Sequence, residues 1–290
     1  MNYSTLFCNV LITLLFVGTC FLAEYMTCVN DPLDDARATP ETSDADRKPL
    51  VVRWWYAPII ILAAFGASYV PSTGWMNVIA VVVSAASLAF MACNKAAIHG
   101  KMQGLVTATF TSLVCWMWLG YSRAPMGWLV INLTTILVMI FVLSEYAQHF
   151  RWPIIRIALV SLTIFDVISV FVTGHMIDIA AASMKAGFPG LVYFPDFHTW
   201  KPIMILGAGD IVFPGTLMIL AITTGYETKR WLPMWGTLAG FIAGQMICTL
   251  VLILFHSAQP AMLYLVPGVL IGYRAAVALI PHEHQAEFLS

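Results

Sequence analysis

Two carboxylates stand where the chain is otherwise apolar. Asp166 lies within SLTIFDVISVF and Asp210 within MILGAGDIVFPG; nearly all other acidic residues fall in loops or, like Glu24 and Glu145, at the ends of apolar runs. On insertion scales an ionisable side chain at mid-helix in hydrocarbon costs about 2.5–3.5 kcal/mol, so by default it marks function. Two carboxyls facing one another in a low-dielectric site do not both ionise easily; one keeps a proton and the pair titrates as a unit. That arrangement can hydrolyse a peptide bond. The ionised member draws a proton from water as the water attacks the carbonyl carbon, and the neutral member donates to the carbonyl oxygen and then to the leaving nitrogen. The same pair also fits a proton or cation relay in a secondary transporter. It fits, too, a hydrogen-bonded pair in a protein that only binds membrane helices.

The elements that carry these acids are membrane spans. Of 290 residues, 60% are hydrophobic and 10% charged, with a mean hydropathy of +0.83. Soluble domains carry about 45–50% apolar and about 25% charged residues. A net charge of −1 with 14 scattered Lys+Arg provides no basic stripe for phosphates and argues against a nucleic acid partner. Cys8, Cys20, Cys93, Cys115 and Cys248 sit in apolar runs and Cys28 just beyond one, without a C-x-x-C pair. They read as small core residues, not a metal or redox motif.

A helix needs about 20 predominantly apolar residues to cross the hydrocarbon. Such runs predict an all-α membrane protein with nine spans: Thr5–Ala23, Trp55–Pro71, Trp75–Cys93, Gly104–Ser122, Met126–Tyr146, Pro153–Thr173, Ile203–Thr223, Met234–Phe255 and Pro260–Ile280. The first run is read as a retained helix, since Met1–Ser4 carries no positive charge ahead of it. Asn30–Pro49 is polar and reads as a solvated linker. The expected organisation is a five-helix scaffold over 1–152, with a polar loop at 30–50, and a catalytic four-helix part over 153–290.

Lys and Arg are retained on the cytoplasmic side. Nine spans put 11 on the side of the C-terminus and 3 (Arg123, Lys185 and Lys201) on the other. The N-terminus is therefore expected in the lumen or exterior and the C-terminus in the cytosol. The sequon Asn2-Tyr3-Ser4 would then be lumenal, but too close to a helix start to be used.

If spans six and seven are antiparallel helices joined near Gly174–Pro202, Asp166 and Asp210 lie at similar depths, roughly 12 and 10.5 Å from the same face at 1.5 Å per residue. Gly207 and Gly209, around Ala208, permit close backbone approach. Pro214 and Gly215 weaken the helix one turn later. Pro260 lacks an N–H and restrains Gln259 to extended geometry, leaving unpaired backbone with which an unwound substrate could pair.

Phe165-Asp166, Gly207-Ala208-Gly209-Asp210 and Pro260-Ala261-Met262 occur in that order on spans six, seven and nine. They resemble the Tyr-Asp, Gly-x-Gly-Asp and Pro-Ala-Leu signatures of the presenilin and signal peptide peptidase family of intramembrane aspartyl proteases. The resemblance covers Pro153–Pro281; its GAGDIVFPG and QPAMLYLVP look like the signal peptide peptidase branch, and DVISVFVTGHMIDIA like archaeal presenilin-like enzymes. It implies a presenilin-like bundle with Asp166 and Asp210 catalytic. It implies that Phe165, Gly207, Ala208, Gly209, Gln259, Pro260, Ala261 and Met262 meet the substrate, a transmembrane helical peptide within the bilayer. No cofactor or metal is implied. The expected orientation matches signal peptide peptidases and points to type II substrates such as remnant signal peptides, in the endoplasmic reticulum of a eukaryote or the plasma membrane of a prokaryote. Phe165 lacks the usual tyrosine hydroxyl, Ala208 is smaller than the common residue, and Met262 roughly conserves the volume of leucine.

Three further clusters have plainer readings. His175 and Asp178 suit capping or solvation, and His282-Glu283-His284 an exposed tail without a fourth metal ligand. Gly236, Gly240 and Gly244 form a close-packing stripe expected to face the bundle interior.

Overall fold

A computed structural model of the chain describes residues 10–21, 127–146, 151–186, 190–195 and 202–289. The predicted second, third and fourth spans, the polar segment 30–50 and the Asn2 sequon lie outside the described residues.

Helices dominate: α1 (Val10–Phe21), α2 (Gly127–Tyr146), α3 (Trp152–Val167), α4 (His175–Ala186), α5 (Gly209–Thr228), α6 (Leu232–Phe255), α7 (Met262–Ala278) and α8 (His282–Leu289). Among the described residues three helices are long and apolar enough to cross a membrane: Trp152–Val172, Gly209–Thr228 and Leu232–Phe255. The first continues α3 through a π-helical turn over Ile168–Val172 that begins two residues beyond Asp166. It ends at Gly174, whose φ of +66° suits a residue without Cβ.

The architecture departs from pure helix at one place. Leu191–Pro195 (β1) and Pro202–Gly207 (β2) form an antiparallel pair in which Leu191 faces Gly207 and Tyr193 faces Ile205. The predicted seventh span, Ile203–Thr223, therefore begins as a strand and becomes helix only at Gly209. The rise of about 1.5 Å per residue assumed from Ile203 to Asp210 does not hold over the strand, which rises about 3.3 Å per residue, although the two acids do come within electrostatic range of each other. The Gly174–Pro202 connection is also more than a loop, since it carries α4 and β1.

Close packing, not water exclusion, joins helices in lipid, and small residues let backbones touch. At Gly240 a Cβ would collide with the carbonyl of Gly268, and at Gly268 with that of Gly240; Gly236 and Gly272 form the same reciprocal pair. The glycine stripe thus packs inward, α6 against α7. On the other side of α6, the Phe16 ring of α1 stacks on Phe241 with centroids 3.8 Å apart, and the Thr13 hydroxyl donates to Gln245 Oε1 at 3.3 Å. Trp152 stacks on Tyr273 at 4.9 Å, and the Tyr273 hydroxyl donates to the Phe288 carbonyl, anchoring α8 to α7. These contacts tie α1 to α6, α6 to α7, and α3 and α8 to α7.

Candidate active site

Asp166 lies on the buried face of α3, beside buried Phe165. Its Oδ2 accepts the backbone N–H of Met262 at 3.1 Å. That donor exists because Ala261 caps α7 and Met262 is its first helical residue; the first N–H groups of a helix have no intrahelical acceptor. The carbonyl of Pro260 accepts from Leu263 and that of Ala261 from Tyr264 and Leu265. The free backbone expected near Pro260 is therefore largely engaged, in the first turn of α7 and on Asp166. Gln259, partly buried, accepts the Tyr264 hydroxyl at 3.1 Å and donates to Ser257 Oγ at 3.0 Å.

Asp210 is in the first turn of α5, where the amide dipoles point toward a negative charge. The N–H of Gly207 donates to its carboxylate, and the two aspartates act on each other electrostatically. A Cβ on Gly207 would lie 3.1 Å from Asp210 Oδ2, and one on Gly209 3.3 Å from the Phe213 ring. The N–H of Ala208 donates to the Gly190 carbonyl at 2.9 Å, so β2 remains paired right up to the helix. Pro214 lies inside α5 and has no N–H to offer the Asp210 carbonyl four residues earlier.

The motif residues Phe165-Asp166, Gly207–Asp210 and Gln259–Met262 thus converge from α3, the β2–α5 junction and the start of α7. His175 and Asp178 instead open α4, where the His175 N–H donates to Thr173 Oγ1 at 3.3 Å and Asp178 is exposed. His282, Glu283 and His284 lie on α8, with Glu283 3.6 Å from His284.

Motif reading missed three neighbours. Cys248, on α6, lies in the field of both aspartates. Asn132 and Thr135 of α2 hold β1 through side-chain hydrogen bonds. Both are polar residues inside an apolar run, and the cost of an amide or hydroxyl in hydrocarbon is the signal that could have flagged them.

Apolar helices that bring two carboxylates into mutual reach beside a strand-to-helix junction define a multi-pass membrane protein with an intramembrane acid pair. The chain belongs to the signal peptide peptidase family, whose sequence profile matches residues 5–288. It is similar to signal peptide peptidase-like 3 of Oryza sativa subsp. japonica, 32% identical over 171 residues that cover 53% of this chain and 31% of that protein. It is similar to signal peptide peptidase of Homo sapiens, 33% identical over 132 residues, or 44% and 34% of the two chains. Signal peptide peptidase-like 1 of Oryza sativa subsp. japonica is 28% identical over 222 residues, or 59% and 57%. The chain thus spans about a third of the length of the first two relatives. No solved structure matches it.

Proposed function

We propose that the chain is an intramembrane aspartyl endopeptidase that hydrolyses peptide bonds within transmembrane helices. The observation that carries this reading is the convergence of two backbone-held carboxylates, Asp166 on the Met262 N–H at 3.1 Å and Asp210 on the Gly207 N–H, within electrostatic range of each other. One aspartate is ionised and takes a proton from water as the water oxygen bonds to the carbonyl carbon. The other is protonated and donates first to the carbonyl oxygen and then to the amide nitrogen as the C–N bond breaks. The products are a new carboxylate and a new amine.

The substrate carbonyl is presented by a locally unwound strand. β1–β2 is a two-stranded sheet among the described residues, and β2 runs directly into Gly207 and Asp210. Its outer edge suits strand addition, which supplies backbone hydrogen bonds to an extended peptide. Phe165, Ala208, Gly209, Gln259 and Pro260–Met262 complete the walls of the site.

The reading extends to nine spans, a scaffold over 1–152, a catalytic part over 153–290, a lumenal N-terminus and type II substrates. The 11-to-3 distribution of Lys and Arg supports the orientation. Glycosylation tags test it: modification is expected at the N-terminus and in the loop between spans six and seven, and unmodified tags at both positions would sink it.

The activity is tested by incubating the purified chain in liposomes with a signal-peptide-derived helix and reading product termini by mass spectrometry. Cleavage by wild type and none by Asp166→Ala or Asp210→Ala, with substrate binding retained, is expected. Cleavage by the Asp210→Ala variant at the wild-type rate, or a wild type that moves an ion and never cleaves, would remove the protease reading.

A further inference from the structure

A sheet edge offers unpaired N–H and C=O groups to any strand that approaches. In an antiparallel pair these groups alternate: one residue pair exchanges its hydrogen bonds across the ladder, and the next directs them outward. Here Ala208 bonds across to Gly190, so the alternation and the register turn the groups of Leu191 and Tyr193 outward from β1. The groups of Ile205 turn outward from β2.

The outer edge of β1 is already occupied, by α2 and not by a strand. The Asn132 side-chain amide donates to the Tyr193 carbonyl at 2.7 Å and accepts the Tyr193 N–H at 2.7 Å. An asparagine side chain carries the donor and acceptor of a peptide group, so Asn132 acts as one residue of a third strand. One helical turn on, Thr135 Oγ1 accepts the Gly190 N–H at 3.1 Å, while its single proton is shared between the Ile131 carbonyl at 2.8 Å and, more weakly, the Leu191 carbonyl at 3.3 Å. Tyr193 and Ile205 also pack against Ile131 and Trp128 of α2. A one-residue slip of the hairpin would turn them to the opposite face.

We propose that Asn132, supported by Thr135, is a positioning residue that sets the cleavage register: it closes the β1 edge and locks the hairpin, so that a substrate strand can add only along β2 beside Asp210. This rests on the protease reading above. Asn132 acts through the hairpin and touches neither aspartate. Its loss frees a second edge and lets the hairpin shift relative to Asp210, so different substrate carbonyls reach the acid pair.

The test uses the full chain in liposomes with a signal-peptide-derived helix. Product termini, kcat and KM are measured for Asn132→Leu, which keeps the side-chain size without the amide, and for Thr135→Val and Thr135→Ser. Wild type is expected to give one dominant terminus. Asn132→Leu is expected to spread cleavage over neighbouring bonds and to raise KM about tenfold, the effect of losing a partly buried hydrogen-bonding partner, with a smaller change in kcat. Thr135→Val should shift the pattern in the same direction and Thr135→Ser restore it, which keeps the proposal testable if Asn132→Leu does not fold. Variants that cleave the wild-type bonds with wild-type KM overturn the clamp and leave the protease reading standing. A wild type that cleaves nothing overturns the protease reading and the clamp's role with it.

Discussion

The backbone N–H of Met262 donates to Asp166 across 96 positions of sequence. It ties the first turn of α7 to the acid on α3, so the Pro-Ala-Met segment orients a carboxylate as well as forming a wall of the site. The donor belongs to the backbone, and the side chain at 262 can change without removing it.

Replacing Met262 by Pro is therefore expected to be far more damaging than replacing it by Leu. A hydrogen bond to a charged group contributes about 1.5–3 kcal/mol, so Met262→Pro should lower kcat/KM by about one to two orders of magnitude. Met262→Leu, which keeps the N–H and roughly the volume, should lose much less. Steady-state cleavage of a helical substrate, with thermal unfolding to follow the fold, measures both.

Gly207 is tested by its missing atom. An added methyl at 207 would sit 3.1 Å from Asp210 Oδ2, and the carboxylate must swing away to relieve the contact. Misplacing a reacting group by about 1 Å can cost about a hundredfold. Gly207→Ala is expected to fall toward that level in kcat with little change in unfolding temperature. Wild-type kcat would show that Asp210 has another productive position.

A pair that works with one proton must fail at both ends of the pH range. At low pH both carboxyls are protonated and none can take a proton from water; at high pH both are ionised and none can protonate the leaving nitrogen. The rate profile is expected to be bell-shaped, its two limbs belonging to the pair. A rate that climbs steadily with pH would indicate a different base.

Packing of α6 on α7 has its own control. Gly240→Ala drives a methyl into the Gly268 carbonyl, and overpacking of this kind costs about 1–3 kcal/mol. Gly18, on α1, has open space where its Cβ would go, and Gly18→Ala should be neutral or stabilising by up to about 1 kcal/mol. Thermal unfolding in detergent is expected to rank Gly240→Ala below wild type and Gly18→Ala at or above it.

The residues by themselves determined the membrane class, the approximate course of α3 and α6, the two costly carboxylates and the three motifs around them. Each of these is local: a long apolar run, an acid out of place, a glycine or proline with a fixed conformational effect. What only the tertiary structure decided lies where distant segments meet. Ile203–Leu206 is a short apolar run, and periodicity cannot tell a buried strand from a helix over such a length. Its strand identity comes from Leu191–Pro195, the partner that satisfies its backbone. The same holds for Asn132, polar in an apolar span for no reason visible along the chain until Tyr193 is brought beside it. It holds too for the Met262 N–H, which any helix start would leave free and which here is held by Asp166. In hydrocarbon every backbone polar group must find a partner, and which partner it finds is a property of the assembled bundle.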